Sequence, residues 1–233
     1  MTNAEGAAKA SVGPEVDARP AERPGPVAIA GRFGSVVRLD ASRHGGALWL
    51  EFKGHDRLWT YMSDGPFTDR AAFLTWLTAR ESLADPYYYA VIDREGRAVG
   101  VETLMSTRPE MRVIEVGNIV LGLSLQRSPL ATEAQYLLAR YAIETLRYRR
   151  YEWKCCSLNA PSRNAALRFG FTFEGIFRHH MIIKGRSRDT AWFAMLEEEW
   201  PARRAAFERW LEPANFDAQG RQRQSLRALN GAG

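Results

Sequence analysis

Two short segments hold the residues best placed to do chemistry. The first runs Gly122-Leu123-Ser124-Leu125-Gln126-Arg127-Ser128-Pro129-Leu130-Ala131-Thr132-Glu133-Ala134. It leaves a β-type run, turns through small and polar residues, and enters a long helical pattern. A helix start exposes unpaired N–H groups with positive potential, which suits a phosphate. Arg127 adds a cation there, and Ser128 and Thr132 add hydroxyl donors. The same residues also allow a ligand-free reading, in which Thr132 and Gln135 form a Thr-x-x-Gln capping box. The second segment runs Asn159-Ala160-Pro161-Ser162-Arg163-Asn164-Ala165-Ala166-Leu167-Arg168-Phe169-Gly170-Phe171. Asn before a Pro-initiated helix is ordinary N-cap chemistry, with Ser162 in the first turn.

These segments need a frame to bring them together, and hydrophobic periodicity predicts one. Ser35–Leu39 alternates as a strand, and a helix follows over Arg43–Phe52. Thr68-Asp69 caps a helix over Asp69–Glu81, with Ala72, Phe73, Trp76 and Leu77 at helical spacing. Tyr87–Asp93 and Ala98–Met105 flank a turn at Arg94–Arg97 and read as a hairpin. Arg112–Gly122 is a strand, Ala134, Leu137, Leu138, Tyr141 and Thr145 mark one face of a long helix, and Tyr151–Leu158 is the next strand. Strand, helix and strand with short connections make a right-handed parallel crossover. A short helix stops at Gly170. Phe171–Lys184 and Asp189–Leu196 close a hairpin around Gly185-Arg186-Ser187, and Glu197–Leu211 is the last helix. The expected fold is α/β: a mixed, mostly antiparallel twisted sheet with one central parallel βαβ crossover, flanked by helices. Ligands of open sheets bind beyond the carboxyl ends of parallel strands, where both segments fall.

Composition sets the outer limits. The chain has 233 residues, 45% of them hydrophobic, enough for one sizeable core. Residues 1–30 mix Ala, Gly, Pro and charge and read as a disordered arm. Residues 31–212 read as a single domain, and 213–233 as a loosely held, polar and basic tail. No apolar run is long enough to span a membrane. The net charge of +5 is spread thinly and carries no aromatic-interleaved signature, which points away from nucleic acid. Cys155 and Cys156 are adjacent, so they face opposite sides of a strand, do not bridge, and offer no metal set. Reduced thiols fit a cytoplasmic protein.

Taken in order, the two segments resemble the GNAT acetyltransferases. That family carries a Gln/Arg-x-x-Gly-x-Gly/Ala loop whose amides hold the pyrophosphate of coenzyme A, and Gln126, Pro129 and Ala131 fall on its three marked positions. The Asn159-x-x-Ser162 spacing and Gly170-Phe171 are similar to the ribosomal-protein alanine acetyltransferase branch. Glu174-Gly175-Ile176-Phe177-Arg178 and Gly185-x-x-x-Asp189 resemble the closing hairpin of that branch. The resemblance covers roughly residues 33–200 and departs at Pro129, which has no N–H to give the phosphate cradle.

This resemblance implies acetyl-CoA as co-substrate, no metal, an amine acceptor, and room for a homodimer. It places the coenzyme against Leu121, Leu123, Gln126, Arg127, Ser128, Leu130, Ala131, Thr132, Asn159, Ser162 and Arg163. A backbone N–H near Leu121–Leu123 polarises the acetyl carbonyl. Many members protonate the thiolate with a Tyr where Ala166 stands here, which leaves Ser162 as the acid. For the base that deprotonates the amine, Glu115 ranks first, with Glu102 and one of His179 and His180 as alternatives. A catalytically inactive acyl-CoA sensor is the rival function. Trp49, Trp59, Tyr61, Phe67, Phe73 and Trp76 are expected mostly in the core, with one or two against the acceptor.

Overall fold

A computed structural model describes residues 12–231. Eight strands form one sheet in the order β1-β2-β3-β4-β5-β6-β8-β7. The first half contains β1 (Ala28–Ala30), β2 (Ser35–Arg38), β3 (Tyr87–Ile92), β4 (Ala98–Arg108) and β5 (Val113–Leu121), all antiparallel neighbours. Helix α1 (Ala41–Phe52) and helix α2 (Arg70–Glu81) cover one face of that half. Helix α3 (Pro129–Arg140) then crosses over the other face to β6 (Arg150–Cys156), which pairs parallel with β5. After α4 (Ala160–Arg168), strands β7 (Thr172–Ile183) and β8 (Arg186–Leu196) form the closing hairpin, and α5 (Trp200–Leu211) packs beside α3. This is the mixed, mostly antiparallel α/β sheet that the sequence predicts.

Helices α1 to α4 each begin where a short polar side chain caps them. Asp40 accepts from the Arg43 amide, Asp69 from Ala72, Ser128 from Ala131 and Asn159 from Ser162. The Thr132–Gln135 capping box does not form, because Ser128 already caps the helix one turn earlier. Thr132 is buried and its hydroxyl accepts from Arg168 at 3.1 Å. Helix α4 stops at Gly170, whose φ of +91° is costly for any residue with a Cβ.

Four boundaries differ from expectation. Described residues 12–30 are not a disordered arm: Ala21 is buried, its amide donates to the Pro109 carbonyl, and Ala28–Ala30 pairs with β2. Main-chain bonds hold this segment, so an apolar pattern gives no warning of it. The expectation for residues 1–11 lies outside the described residues. Residues 213–231 are also held, through fully buried Leu226 in α6 (Leu226–Leu229) and a bond from Trp210 Nε1 to Gln222 Oε1 at 2.7 Å. The closing turn is Lys184-Gly185, both at positive φ, so β8 starts at Arg186 rather than Asp189. Helix α5 starts at Trp200 rather than Glu197, because the Glu199 carboxylate accepts from the Leu196 amide and closes a turn before it, and α6 rather than α5 is the last helix.

Candidate active site

The cleft opens where the central strands part. Strands β5 and β6 stay in register only from Val113↔Arg150 to Val116↔Trp153. Beyond that point β5 turns away from β6 through a bulge against β4, with Asn118 and Ile119 falling between the paired residues Gly117 and Val120. Asn118 sits at φ +46°, a conformation Asn tolerates better than most residues. Thr103 Oγ1 pins the bulge by donating to the Gly117 carbonyl at 2.9 Å. The resulting cleft holds about 1090 Å³.

Glu115, Leu121, Gln126, Arg127, Ala131, Asn159 and Ser162 all line this one cleft. The remaining expected binding residues lie elsewhere. Leu123 is exposed, Leu130 is in the core, Ser128 caps α3, and Thr132 is held by Arg168. Arg163 reaches the Ser157 carbonyl and the Phe173 ring. The stretch of β5 in the cleft is Glu115–Leu121, so most of the β5 residues lining it lie on the N-terminal side of Leu121–Leu123.

On the α3 side, the loop ahead of the helix keeps donors free. Leu125, Gln126 and Ser128 amides bond within the turn, while those of Arg127 and Leu130 have no acceptor among the described residues. Arg127 is exposed and has no carboxylate partner among them. The loop therefore fits a phosphate even with Pro129 in it.

The first turn of α4 holds Ser162 against β6. Trp153 Nε1 donates to Ser162 Oγ at 3.0 Å. Indole N–H can only donate, so the serine keeps its own proton to give. Cys155 lies beside it; burial pushes that thiol up, and Ser162 acts in the opposite sense.

The opposite face of β6 carries charge. Lys154 Nζ bonds Glu115 Oε2 and Glu152 Oε2, each at 2.8 Å, and lies 4.1 Å from the Trp192 ring centre. Ser106 Oγ also donates to Glu115, at 3.1 Å. Burial works to raise the Glu152 carboxyl, but bonds from Lys154 and Arg150 outweigh it and hold it below the usual range. His180 reaches this wall, with Nδ1 at 3.0 Å from the Thr190 hydroxyl, whereas His179, exposed like it, does not line the cleft.

Glu102 is not in the cleft. It is fully buried on the α3 face, and burial pushes its carboxyl up to about 8, with Gln135 beside it. Neither carboxylate oxygen is reached in good bonding geometry.

Two contacts cross the cleft. Tyr61 Oη donates to the Leu158 carbonyl at 3.2 Å, and Lys184 Nζ to the Trp59 carbonyl at 2.9 Å. Of the six aromatic residues expected mostly in the core with one or two against the acceptor, Tyr61 lines the cleft, while Trp59 and Phe73 are buried in the core that α1 and α2 cover.

The family model described as "Acetyltransferase (GNAT) domain" matches residues 38–172, more than half of the chain. The chain belongs to the GNAT acetyltransferases. Among solved GNAT structures, a GCN5-related N-acetyltransferase from Brucella melitensis is 42% identical with a TM-score of 0.90, covering 92% of this chain and 99% of its own. A GNAT-family acetyltransferase from Chromobacterium violaceum is 41% identical with a TM-score of 0.78, over 84% and 100%. RimL, a ribosomal L7/L12 α-N-protein acetyltransferase solved in complex with coenzyme A, shares the fold at 20% identity and a TM-score of 0.63, over 73% and 98%. No curated protein matches. In this GNAT chain no helix among the described residues is long and apolar enough to cross a membrane.

Lys154, Trp153 and Arg188 line the cleft without having been singled out in the sequence. One signal was present: Glu152 and Lys154 are charged residues in a central strand, where burial demands partners.

Proposed function

We propose that this protein transfers the acetyl group of acetyl-CoA to a primary amine within a ternary complex. The observation that carries this reading is the parting of β5 and β6 between the α3 loop on one face and the Glu115–Lys154 pair on the other. The free amides of Arg127 and Leu130, with the Arg127 guanidinium, fit the diphosphate of the coenzyme. Acetyl-CoA supplies an acetyl group activated as a thioester. Main-chain N–H groups of the parted β5 polarise its carbonyl. Glu115, oriented by Ser106 and Lys154, takes the proton of the amine through water. Ser162 gives its proton to the departing sulfur.

The test is thiol release from acetyl-CoA over a panel of amines, with mass spectrometry of the products. Acetyl-CoA should also raise the thermal midpoint, by about 2.7 kcal/mol of stability at about a hundred times its Kd. Stabilisation by acetyl-CoA without transfer to any amine would favour the sensor reading.

A further inference from the structure

One charged side chain in the cleft is unexplained by that reaction. Arg188 lines the cleft half-buried, its Nε is inaccessible to solvent, and no acceptor among the described residues pairs with it. The other charges on this side are matched: Lys154 with Glu115, and Arg80 with Asp64 at 3.0 Å. A buried guanidinium donor left unpaired is costly, so the site is built for a partner that arrives from outside.

The strand pattern says which substrate brings that partner. On β8, Ala191, Phe193 and Met195 pack into the core beneath α3. Arg188, Thr190 and Trp192 alternate with them and line the cleft. Thr190 meets His180 and Trp192 meets Lys154, so this is the face opposite Ser162 and the α3 loop. Trp192 Nε1 is a second buried donor there with no acceptor.

Resting on the acetyl-transfer reading, we propose that the acceptor is an amine that also carries a carboxylate, and that Arg188 holds the carboxylate. One unmatched positive charge calls for a monoanion, and the planar fork of Arg suits a carboxylate. Trp192 Nε1 then donates to a second oxygen of the same acceptor. A purely cationic amine meets Lys154 and Arg188 with no anion to offer them.

The experiment compares matched acceptors: amino acids as free acids and as C-terminal amides, and peptides with Glu or Gln as second residue. Thiol release gives kcat and KM for the wild type, Arg188→Ala and Arg188→Lys, and melting curves check folding. Wild type should prefer the acid member of at least one pair by about tenfold or more, the worth of a charge-assisted bond. The pair that shows it tells an α-carboxylate from a side-chain one. Arg188→Ala should erase the preference by raising KM for the acid, leaving the amide partner and KM for acetyl-CoA unchanged, and Arg188→Lys should restore part of it. Equal use of acids and amides by wild type overturns the inference while leaving acetyl transfer intact. A rise in KM for acetyl-CoA instead assigns Arg188 to the coenzyme and also overturns it. Failure of every amine in the panel removes the acetyl-transfer reading and this inference together.

Discussion

Trp153 Nε1 and Ser162 Oγ are joined at 3.0 Å, a link between β6 and the first turn of α4. The indole fixes the serine as an acceptor on one side and directs its proton to the other. Ser162→Ala should lower kcat and kcat/KM together, by roughly tenfold to a thousandfold. Trp153→Phe keeps a ring but frees the hydroxyl, and should give a smaller loss of kcat. Normal turnover of Ser162→Ala at saturating substrate would leave water as the proton source.

Arg127 should behave differently. It is exposed beside free amides, and the diphosphate proposed to bind there does not change its charge during the reaction. Arg127→Ala should raise KM for acetyl-CoA by a few-fold to tens of fold, with kcat nearly unchanged. Initial rates at varied acetyl-CoA check this, and a fall in kcat alone would contradict the assignment.

The two ion pairs of the cleft should not be equivalent. Lys154 is 12% exposed between Glu115 at 9% and Glu152 at 2%, whereas Arg80 and Asp64 are 28% and 30% exposed. Lys154→Met leaves buried Glu115 without a cation, while Glu152 keeps Arg150, and should cost about 3 kcal/mol or more. Arg80→Met should cost about 1 kcal/mol or less. Urea melts of both variants give the comparison.

Glu102 makes stability depend on pH. Its carboxyl is raised by burial from 4.5 to about 8 in the folded state. A raised carboxyl stabilises fully below the unfolded value, and that contribution is lost as pH climbs through the folded one. Stability should therefore decline between pH 4.5 and about 8, and Glu102→Gln should flatten that decline. An identical slope in wild type and variant would show that Glu102 does not titrate there.

Removal of residues 1–28 should lower the melting midpoint. The deletion takes away the Ala21–Pro109 and Glu22–Leu146 main-chain bonds and the Gly25 carbonyl that accepts from Tyr89 Oη. Each lost bond is worth about 1 kcal/mol. A full-length midpoint in the truncated protein would mean that the segment adds nothing.

How legible the site was depended on the kind of signal. The α4 start was readable because Asn159 and Pro161 mark a helix entry by their own chemistry, whereas at α3 the Thr132-x-x-Gln135 pattern competes with the true cap, Ser128, one turn earlier. The closing turn was not readable, since Lys184 at φ +49° is a conformation that Lys does not advertise. The bulge that opens the cleft is marked only by Gly117-Asn118, which interrupts the Val- and Ile-rich run of β5. Glu102 and Glu115 looked alike as strand carboxylates. Only the three-dimensional arrangement separates a core group from one bonded to Lys154.

The two contacts over the cleft, Tyr61 to Leu158 and Lys184 to Trp59, share a chemical asymmetry. In each the donor is a side chain and the receiver is a main-chain carbonyl. A carbonyl is present whatever residue stands at 59 or 158, so replacing those side chains removes no acceptor. How far the cleft is spanned is thus written in two positions, and exchanging Tyr61 for Phe or Lys184 for Met would unfasten it while leaving every residue of the central strands in place.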